Sequence, residues 1–116
     1  MLKLYTSYSC SSCKKVDAWL DEYGIAHEVI NIFADGVTGE DIMYMLQLSE
    51  EGFHDIISIR SKIYARRSEE IEGMTVKQLI AFIIENPTVL KRPIIVDDVT
   101  DQMVVGYSKE ELKKIL

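Results

Sequence analysis

The first part of the chain follows a strand, helix, strand pattern of hydrophobic positions. The apolar run Leu2–Tyr5 predicts a first strand, and the run His27–Ile32 predicts a second one. Between them, hydrophobic side chains recur at i, i+3, i+4 and i+7, the spacing of one helix face: Val16, Trp19, Leu20 and Tyr23. Gly24 is expected to end this helix. A helix that connects two strands predicts a right-handed crossover with parallel pairing.

The middle of the chain has the pattern of helices. Thr38–Asp41 resembles a capping sequence and predicts a helix, which the segment Ser49–Phe53 ends. Asp55–Ala65 is expected to be helical with an irregular middle, and Thr75–Gln78 is a capping box that begins a further helix. The hydrophobic stripe predicted to form the inner face of that helix is Val76, Leu79, Ile80, Ile83 and Ile84.

The last part of the chain returns to strands. Asn86-Pro87 stops the preceding helix. Pro93–Asp97 and Met103–Gly106, joined by the polar turn Asp98–Gln102, predict a β-hairpin. Ser108–Glu111 is a full capping box and predicts a closing helix.

This order of elements predicts one compact α/β domain. A chain of 116 residues that is 47% hydrophobic has room for a single core. We expect a thioredoxin-like fold with a four-stranded mixed sheet, in which residues 1–37 and 88–116 form the core and residues 38–87 form an inserted helical subdomain. Ligand sites in open α/β sheets lie at the carboxyl ends of parallel strands, which is where Cys10 follows the first strand.

The charge of the chain argues against direct binding to nucleic acid. The net charge is −6, and residues 38–90 hold nine acidic against five basic residues, whereas phosphate binding relies on many Lys and Arg contacts. A local exception is Arg60–Arg67, with four basic residues in eight. This segment, with Arg60 and Lys62 foremost, is either a contact for an anion or acidic partner or a solvated helix face.

The N-terminal residues and the hydrophobic runs predict where the protein works. The N-terminus is too short and too quickly polar for a signal peptide. No apolar stretch approaches the roughly 20 residues of a membrane span. We therefore expect a cytoplasmic protein that makes no membrane contact.

Both cysteines lie in one tetrad, Cys10-Ser11-Ser12-Cys13, between the first strand and its helix. Residues three apart on a helix lie about 5 to 6 Å apart, which suits a disulfide whose Cα atoms are about 4.4 to 6.8 Å apart. The helix dipole, with Lys14 and Lys15, is expected to lower the pKa of Cys10 below the free value of about 8.5. Cys10 is therefore the expected thiolate, able to attack disulfides, peroxides or arsenate.

Three uses of the cysteine pair are open: half of a zinc site, inert structural thiols, and redox or nucleophilic chemistry. Zinc takes about four ligands, and besides the two cysteines the chain offers only His27 and His54, which lack the spacing of a second ligand pair. No metal or other cofactor is expected. The position between a strand and a helix favours redox or nucleophilic use.

Three sequence blocks resemble the Spx family and occur in the family's order: Tyr5–Lys15, Ile56–Lys62 and Lys91–Asp97. Asn31–Phe33 and Val105–Tyr107 add to this resemblance, which extends over nearly the whole chain. Three blocks together are far more specific than one CxxC motif. Spx proteins belong to the wider ArsC-like group, whose fold is an interrupted thioredoxin core.

The resemblance implies a bacterial transcription regulator that binds the C-terminal domain of the RNA polymerase α subunit and contacts promoter DNA only within that complex. It implies that Cys10 and Cys13 form an intramolecular disulfide under thiol stress, which cellular thiol reductants reverse. Gly52 matches the family glycine at the α-subunit contact. On the residue alone, a helix C-cap explains Gly52 equally well.

Arg92 and Pro93, at the start of the third predicted strand, match family positions that support the switch. Arg92 matches an arginine beside the cysteine pair, where it can compensate a thiolate; the alternative is a surface ion pair that contributes little. Pro93 corresponds to the proline that is cis in thioredoxin-like folds. Only about 5 to 6% of X-Pro bonds are cis, so this expectation comes from the resemblance.

The sequence departs from the Spx pattern at two places. Tyr8 stands where the family usually has proline, a change expected to alter the stiffness and redox potential of the loop but to leave the switch in place. The chain ends at Leu116, before the extension through which Clp protease recognises typical members. The resemblance therefore does not carry proteolytic control over to this sequence.

An enzyme is the alternative function. An ArsC-type arsenate reductase, or a glutaredoxin-like thiol oxidoreductase, would use Cys10 as its nucleophile. Arg60 and Arg92 could supply two of the cations that bind an oxyanion. The third arginine of the reductases, expected just after the last strand, is missing, since that stretch reads Gly106-Tyr107-Ser108.

Overall fold

The computed structural model describes residues 1–116, which include a four-stranded sheet. The strands are β1 (Leu2–Thr6), β2 (His27–Asn31), β3 (Ile94–Asp97) and β4 (Gln102–Val105). Their order across the sheet is β2-β1-β3-β4. Strands β1 and β2 are parallel, whereas β3 is antiparallel to both β1 and β4. The mixed sheet of a thioredoxin-like α/β fold is therefore confirmed.

Helices make up most of the remaining chain. They are α1 (Ser11–Glu22), α2 (Gly39–Leu48), α3 (Lys62–Glu72), α4 (Val76–Glu85) and α5 (Lys109–Leu112). Short 3₁₀ turns lie at Gly52–Asp55, Pro87–Val89 and Lys113–Ile115. None of these helices combines the length and the apolar surface that a bilayer crossing requires.

Polar side chains fix where several helices begin. At Thr38 and Thr75 the hydroxyl accepts the backbone N–H three residues on, and the side chain of that residue accepts the threonine N–H in return. Both capping boxes are thus confirmed. At Ser108 only half of the predicted box forms: its hydroxyl accepts the Glu111 N–H at 3.4 Å, while the Glu111 carboxylate accepts from Lys114 Nζ at 2.9 Å.

The hydrophobic stripe of α1 packs on the sheet. The buried cluster consists of Leu2, Leu4, Val16, Trp19, Leu20, Ile95, Val104 and Leu112. Three of the four predicted stripe positions belong to this cluster. The fourth, Tyr23, is exposed, and its ring packs at a tilt against Trp19, with the ring centroids 4.6 Å apart. Because this packing fixes the position of α1, it also fixes the loop that leads from β1 into the helix.

The chain divides into two compact units. One consists of residues 1–35 and 92–116, and the other of residues 36–91. The backbone of residues 89–91 pairs inside the second, helical unit. The Ser58 N–H donates to the Val89 carbonyl at 2.7 Å, and the Lys91 N–H donates to the Ile56 carbonyl at 2.8 Å.

The segment Asp55–Ala65, predicted to be helical with an irregular middle, is α-helical only from Lys62. Ile56 and Ile57 are both buried, and Ile57 forms an antiparallel bridge with Leu90. Helix α3 begins only after Ser61, whose hydroxyl accepts the Tyr64 N–H at 3.1 Å. Two adjacent apolar residues fit a helix face and an enclosed extended segment equally well, and hydrophobic spacing alone does not separate the two.

The inner face of α4 is rotated from the predicted one. Leu79 and Ile83 are buried as expected, and Phe82 is buried beside them. Val76 and Ile84, both predicted to face the core, are 51% and 47% exposed. The aliphatic residues alone do not define the buried face of α4, because the aromatic residue Phe82 is part of it.

Candidate functional site

The cysteine pair lies at the start of α1 and is closed as a disulfide. The Cα atoms of Cys10 and Cys13 are 5.2 Å apart, within the range that a disulfide spans. Cys10 is the N-cap residue, with extended backbone at φ −92° and ψ 105°. Its sulfur accepts the Cys13 backbone N–H at 3.2 Å. A negative charge on this sulfur would therefore be stabilised by a helix N–H and by the dipole of α1.

The two sulfurs differ in their access to solvent. Cys10 is half-buried, whereas Cys13 is only 2% exposed. No acidic residue lies in the first turn of α1, and Lys14 and Lys15 are exposed there. The environment thus favours a reactive thiolate at Cys10 and a shielded partner at Cys13.

The residues that flank the pair meet at one edge of the sheet. Thr6 at the end of β1 pairs with Asn31 at the end of β2, and Tyr5 pairs with Ile94 at the start of β3. The cysteine loop follows β1, and the Arg92-Pro93 bond, which is cis, precedes β3. Cys10, Cys13, Arg92 and Pro93 therefore belong to the same sheet edge.

Arg92 has an unusual environment for a cation. Its guanidinium lies 5.4 Å from the ring centroid of Phe33, and its Nη1 is buried with no hydrogen-bond partner. Burial lowers the pKa of Arg92. It forms no ion pair, so the alternative of a surface salt bridge is wrong. A buried N–H without an acceptor is costly, and this group is available to an anion formed at the same sheet edge.

A cleft of about 340 Å³ lies beside Cys13. It is lined by Thr6, Ser7, Tyr8, Cys13, Lys14, Asp17, Val29, Asn31 and Asp35. Tyr8, which departs from the Spx pattern, is exposed at its rim. The volume is at the small end of the range for ligand sites, and the lining offers both a cation and carboxylates.

His27 binds two acceptors at once, which the sequence analysis missed. Its Nε2 lies 2.6 Å from Asp17 Oδ1, and its Nδ1 lies 2.8 Å from the Ile25 carbonyl oxygen. Burial alone would lower the pKa of His27, but the hydrogen bonds to Asp17 and Ile25 and the charges of Asp17 and Asp21 outweigh it, so the pKa is raised. Two facing acceptors require two ring N–H groups, which only the imidazolium has.

His27 also belongs to the one group of side chains whose atoms have the types and spacing of metal ligands. Ligand atoms of Asp17, Asp21 and His27 lie within 4.8 Å of one another. One nitrogen and two carboxylates could hold a divalent cation only after His27 loses a ring proton, because the imidazolium has no free lone pair. The spacing of the residues in the sequence does not predict this group. Asp17 and Asp21 lie on α1, and His27 of β2 reaches them only because α1 packs on the sheet.

Gly52 is exposed and lies in a turn, residues 50–55, which we call the Gly52 turn. Its φ is +65°, and no atom lies within 4 Å of where a Cβ would be. The Asp55 carboxylate accepts the N–H groups of Glu50 and Glu51 at 2.8 and 3.2 Å. Helix α2 already ends at Leu48, so the explanation of Gly52 as a helix C-cap is wrong: it begins a 3₁₀ turn.

Arg60 and Lys62 lie in the helical unit and are both exposed. Neither forms an ion pair. Arg67, by contrast, donates to both carboxylate oxygens of Glu70, at 2.9 and 2.6 Å, and its guanidinium is 4.8 Å from the Phe82 ring. Of the basic run Arg60–Arg67, Arg67 is therefore the residue whose charge is neutralised by an ion pair.

Comparison with known protein families and curated relatives gives a consistent result. The model of the ArsC family matches residues 5–115. The chain is 40% identical over 116 residues to the global transcriptional regulator Spx of Staphylococcus epidermidis, 38% to that of Listeria monocytogenes and 39% to that of Staphylococcus aureus. Each of these alignments covers 100% of this chain and 87% of the relative.

Solved structures share the fold. An ArsC-family-related protein of Bacteroides fragilis superposes with a TM-score of 0.83 at 26% identity, over 99% of this chain and 97% of that one. An arsenate reductase of Vibrio cholerae gives a TM-score of 0.81 at 24% identity, over 99% and 97% of the two chains. The second likeness establishes the fold and carries no statement about activity.

Proposed function

Because this chain belongs to the ArsC family and, within it, to the Spx regulators, we propose that it is a thiol-responsive transcription regulator. Its partner is the C-terminal domain of the RNA polymerase α subunit, and it meets promoter DNA only within that complex. The observation that carries the proposal is full-length similarity to the regulators, joined to a cysteine pair at the cap of α1. The setting is the cytoplasm, where thiol reductants return the switch to its reduced form.

The switch begins at Cys10. Its thiolate attacks one oxygen of hydrogen peroxide, the O–O bond breaks, and Cys10 becomes a sulfenic acid as hydroxide leaves and takes up a proton. The Cys13 thiol then gives up its proton and attacks the Cys10 sulfur. The S–O bond breaks, the S–S bond forms, and the second oxygen leaves as water. Two electrons pass from the cysteine pair to the peroxide.

Closing the disulfide changes the charge at the start of α1. In the reduced protein a Cys10 thiolate would sit on the Cys13 N–H, with the unpaired Arg92 Nη1 at the same sheet edge. The disulfide removes that negative charge, and with it the attraction for Arg92. Arg92 and the cap of α1 are therefore the groups that respond to oxidation, with Pro93 beside them.

The Gly52 turn is the proposed contact for the α subunit. Gly52 is exposed and has open space where a Cβ would be, so a partner can approach the backbone closely. The flanking Glu50 and Glu51 are also exposed. Arg60 and Lys62 are a second contact, for an anion or an acidic partner, because their charges are not neutralised within the chain.

Two substitutions at position 52 test this contact. At φ +65° any L side chain adds backbone strain of about 1 to 2 kcal/mol, so Gly52→Ala and Gly52→Arg share this cost. Only Gly52→Arg adds bulk and charge at the surface. Titration with the isolated α C-terminal domain is expected to give a Kd at least about tenfold weaker for Gly52→Arg than for Gly52→Ala, equal to about 1.4 kcal/mol.

The two control outcomes separate the explanations. Wild-type affinity in both variants would contradict a contact at Gly52. Equal loss in both would mean that the backbone conformation, and not the surface at that position, is what the substitutions disturb.

An arsenate reductase is the competing function, and the unpaired Arg92 Nη1 is the observation that favours it. The opposing observation is the stretch after β4, where Gly106 adopts φ +82° and its N–H donates to the Pro93 carbonyl at 2.8 Å, and no arginine follows. We therefore do not assign an enzymatic activity. Arsenate-dependent oxidation of a thiol cosubstrate by the purified protein would reverse this assignment.

A further inference from the structure

The conformation of the Gly52 turn must be imposed by its neighbours. Glycine has no Cβ, so it adopts negative and positive φ almost equally well and does not hold its own conformation. The structure has Gly52 at φ +65° with empty space around it. A surface built on such a residue needs restraints from either side of it. On the N-terminal side, the Asp55 carboxylate supplies them through the N–H groups of Glu50 and Glu51.

On the C-terminal side, a short backbone ladder to residues 89–91 supplies the restraint. Ile57 and Leu90 form an antiparallel bridge, and both side chains are buried. The hydrogen bond from the Lys91 N–H to the Ile56 carbonyl, at 2.8 Å, completes this ladder next to the turn. The ladder fixes residues 56–58 but does not reach the 3₁₀ turn that contains Gly52.

The Lys91 side chain continues the restraint into that turn. Its Nζ donates to the His54 carbonyl at 3.1 Å. The preceding carbonyl, that of Phe53, accepts the backbone N–H groups of Ile56 and Ile57. The Phe53 carbonyl thus has backbone donors, whereas the His54 carbonyl has the Lys91 side chain as its donor. A lysine at the end of a helical turn commonly has this role.

We propose that Lys91 is a positioning residue of the Gly52 turn. The Lys91 side chain, which is 37 positions from His54 in sequence, holds this turn in the conformation that the partner binds. This inference rests on the proposed function, because it assigns binding to that turn. Lys91 itself is not a contact residue in this account. It acts through the His54 carbonyl, and its loss leaves the exposed groups at the turn unchanged in identity.

The test compares Lys91→Met, which keeps the aliphatic stem and removes the donor, with Lys91→Arg, which restores a donor. Lys77→Met is the matched control, since Lys77 is an exposed lysine on α4 of the same unit and its replacement removes the same charge. Amide hydrogen exchange of a peptide that covers residues 50–58 reports the turn directly. Exchange in α1 reports global unfolding.

Lys91→Met is expected to speed exchange in residues 50–58 roughly two- to tenfold, the effect of one net hydrogen bond, with α1 unchanged. Its Kd for the α C-terminal domain should weaken by a similar factor. Lys91→Arg should restore most of both, and Lys77→Met should alter neither. Unchanged exchange in Lys91→Met, or faster exchange with unchanged affinity, would overturn the inference.

Failure of the proposed function would look different. If the wild-type chain does not bind the α domain in either redox state, the assignment of the partner is wrong and a role for Lys91 in binding it falls as well. The exchange comparison would still decide whether Lys91 holds the turn.

Discussion

At the scale of single residues, the contrast between Cys10 and Cys13 defines the chemistry. Both have the same side chain, yet Cys10 is half-buried at a helix cap and Cys13 is enclosed. The first thiol is therefore suited to meet an oxidant and the second to trap the product before further oxidation. Arg92 adds a cation without an anion, a cost that a thiolate at the same sheet edge would offset.

His27 gives a prediction for the dependence of stability on pH. The folded protein raises its pKa, so the Asp17–His27 pair stabilises the fold fully below the unfolded pKa of about 6.5. That contribution is lost as the pH rises through the higher folded value. In Asp17→Asn the free energy of unfolding should fall by about 1 kcal/mol below pH 6.5, which is less than the roughly 1.5 to 3 kcal/mol of a charged hydrogen bond because the Asp17 side chain is 43% exposed.

Urea unfolding of the wild type and Asp17→Asn between pH 5 and pH 9 measures this effect. The difference between the two should shrink towards alkaline pH. A difference that stays constant over the whole range would mean that His27 does not titrate against Asp17.

At the scale of elements, α1 is the part of the fold that the proposed switch would change. Its N-cap is a cysteine and its first turn holds the second one. Mild peroxide should therefore lower the mass of the protein by two hydrogens, located between Cys10 and Cys13 by peptide mapping. Cys13→Ser is the control: it should stop at the Cys10 sulfenic acid, with one added oxygen that a carbon nucleophile traps. Persistent free thiols in the wild type would identify the pair as structural.

The sequence predicted elements best where polar and apolar signals agreed. The boundaries of α1 and α4 follow from a cap residue and a stripe together, and Thr75 marks its helix start. The conformation of residues 55–58 was predicted wrongly because the segment they pair with, residues 89–91, is distant in sequence. No local pattern contains a bridge between Ile57 and Leu90.

The same distinction applies to the candidate site. The order of elements places Cys10 and Cys13 at the carboxyl end of β1, whereas the position of Arg92 and Pro93 beside them was implied by the Spx resemblance. The unpaired Nη1 of Arg92 and the contact between His27 and Asp17 could not be predicted, since both depend on how side chains pack. The positive φ of Gly52 is a further feature that residue type permits but does not require.

At the scale of the whole molecule, the fold is shared by reductases and regulators, and the sheet does not separate them. Similarity to an arsenate reductase at 24% identity and to Spx regulators at about 40% lies on one architecture. What distinguishes the functions is a surface for a protein partner against a pocket for an oxyanion. The exposed Gly52 turn and the absence of an arginine after β4 both favour the surface.

The most direct test of this account is a titration of the purified wild-type chain, reduced and oxidised, with the isolated C-terminal domain of the RNA polymerase α subunit. The account predicts saturable binding with one domain per chain, and no arsenate turnover in a parallel assay. Absence of binding in both redox states would contradict the central claim, whatever the chemistry of the cysteine pair.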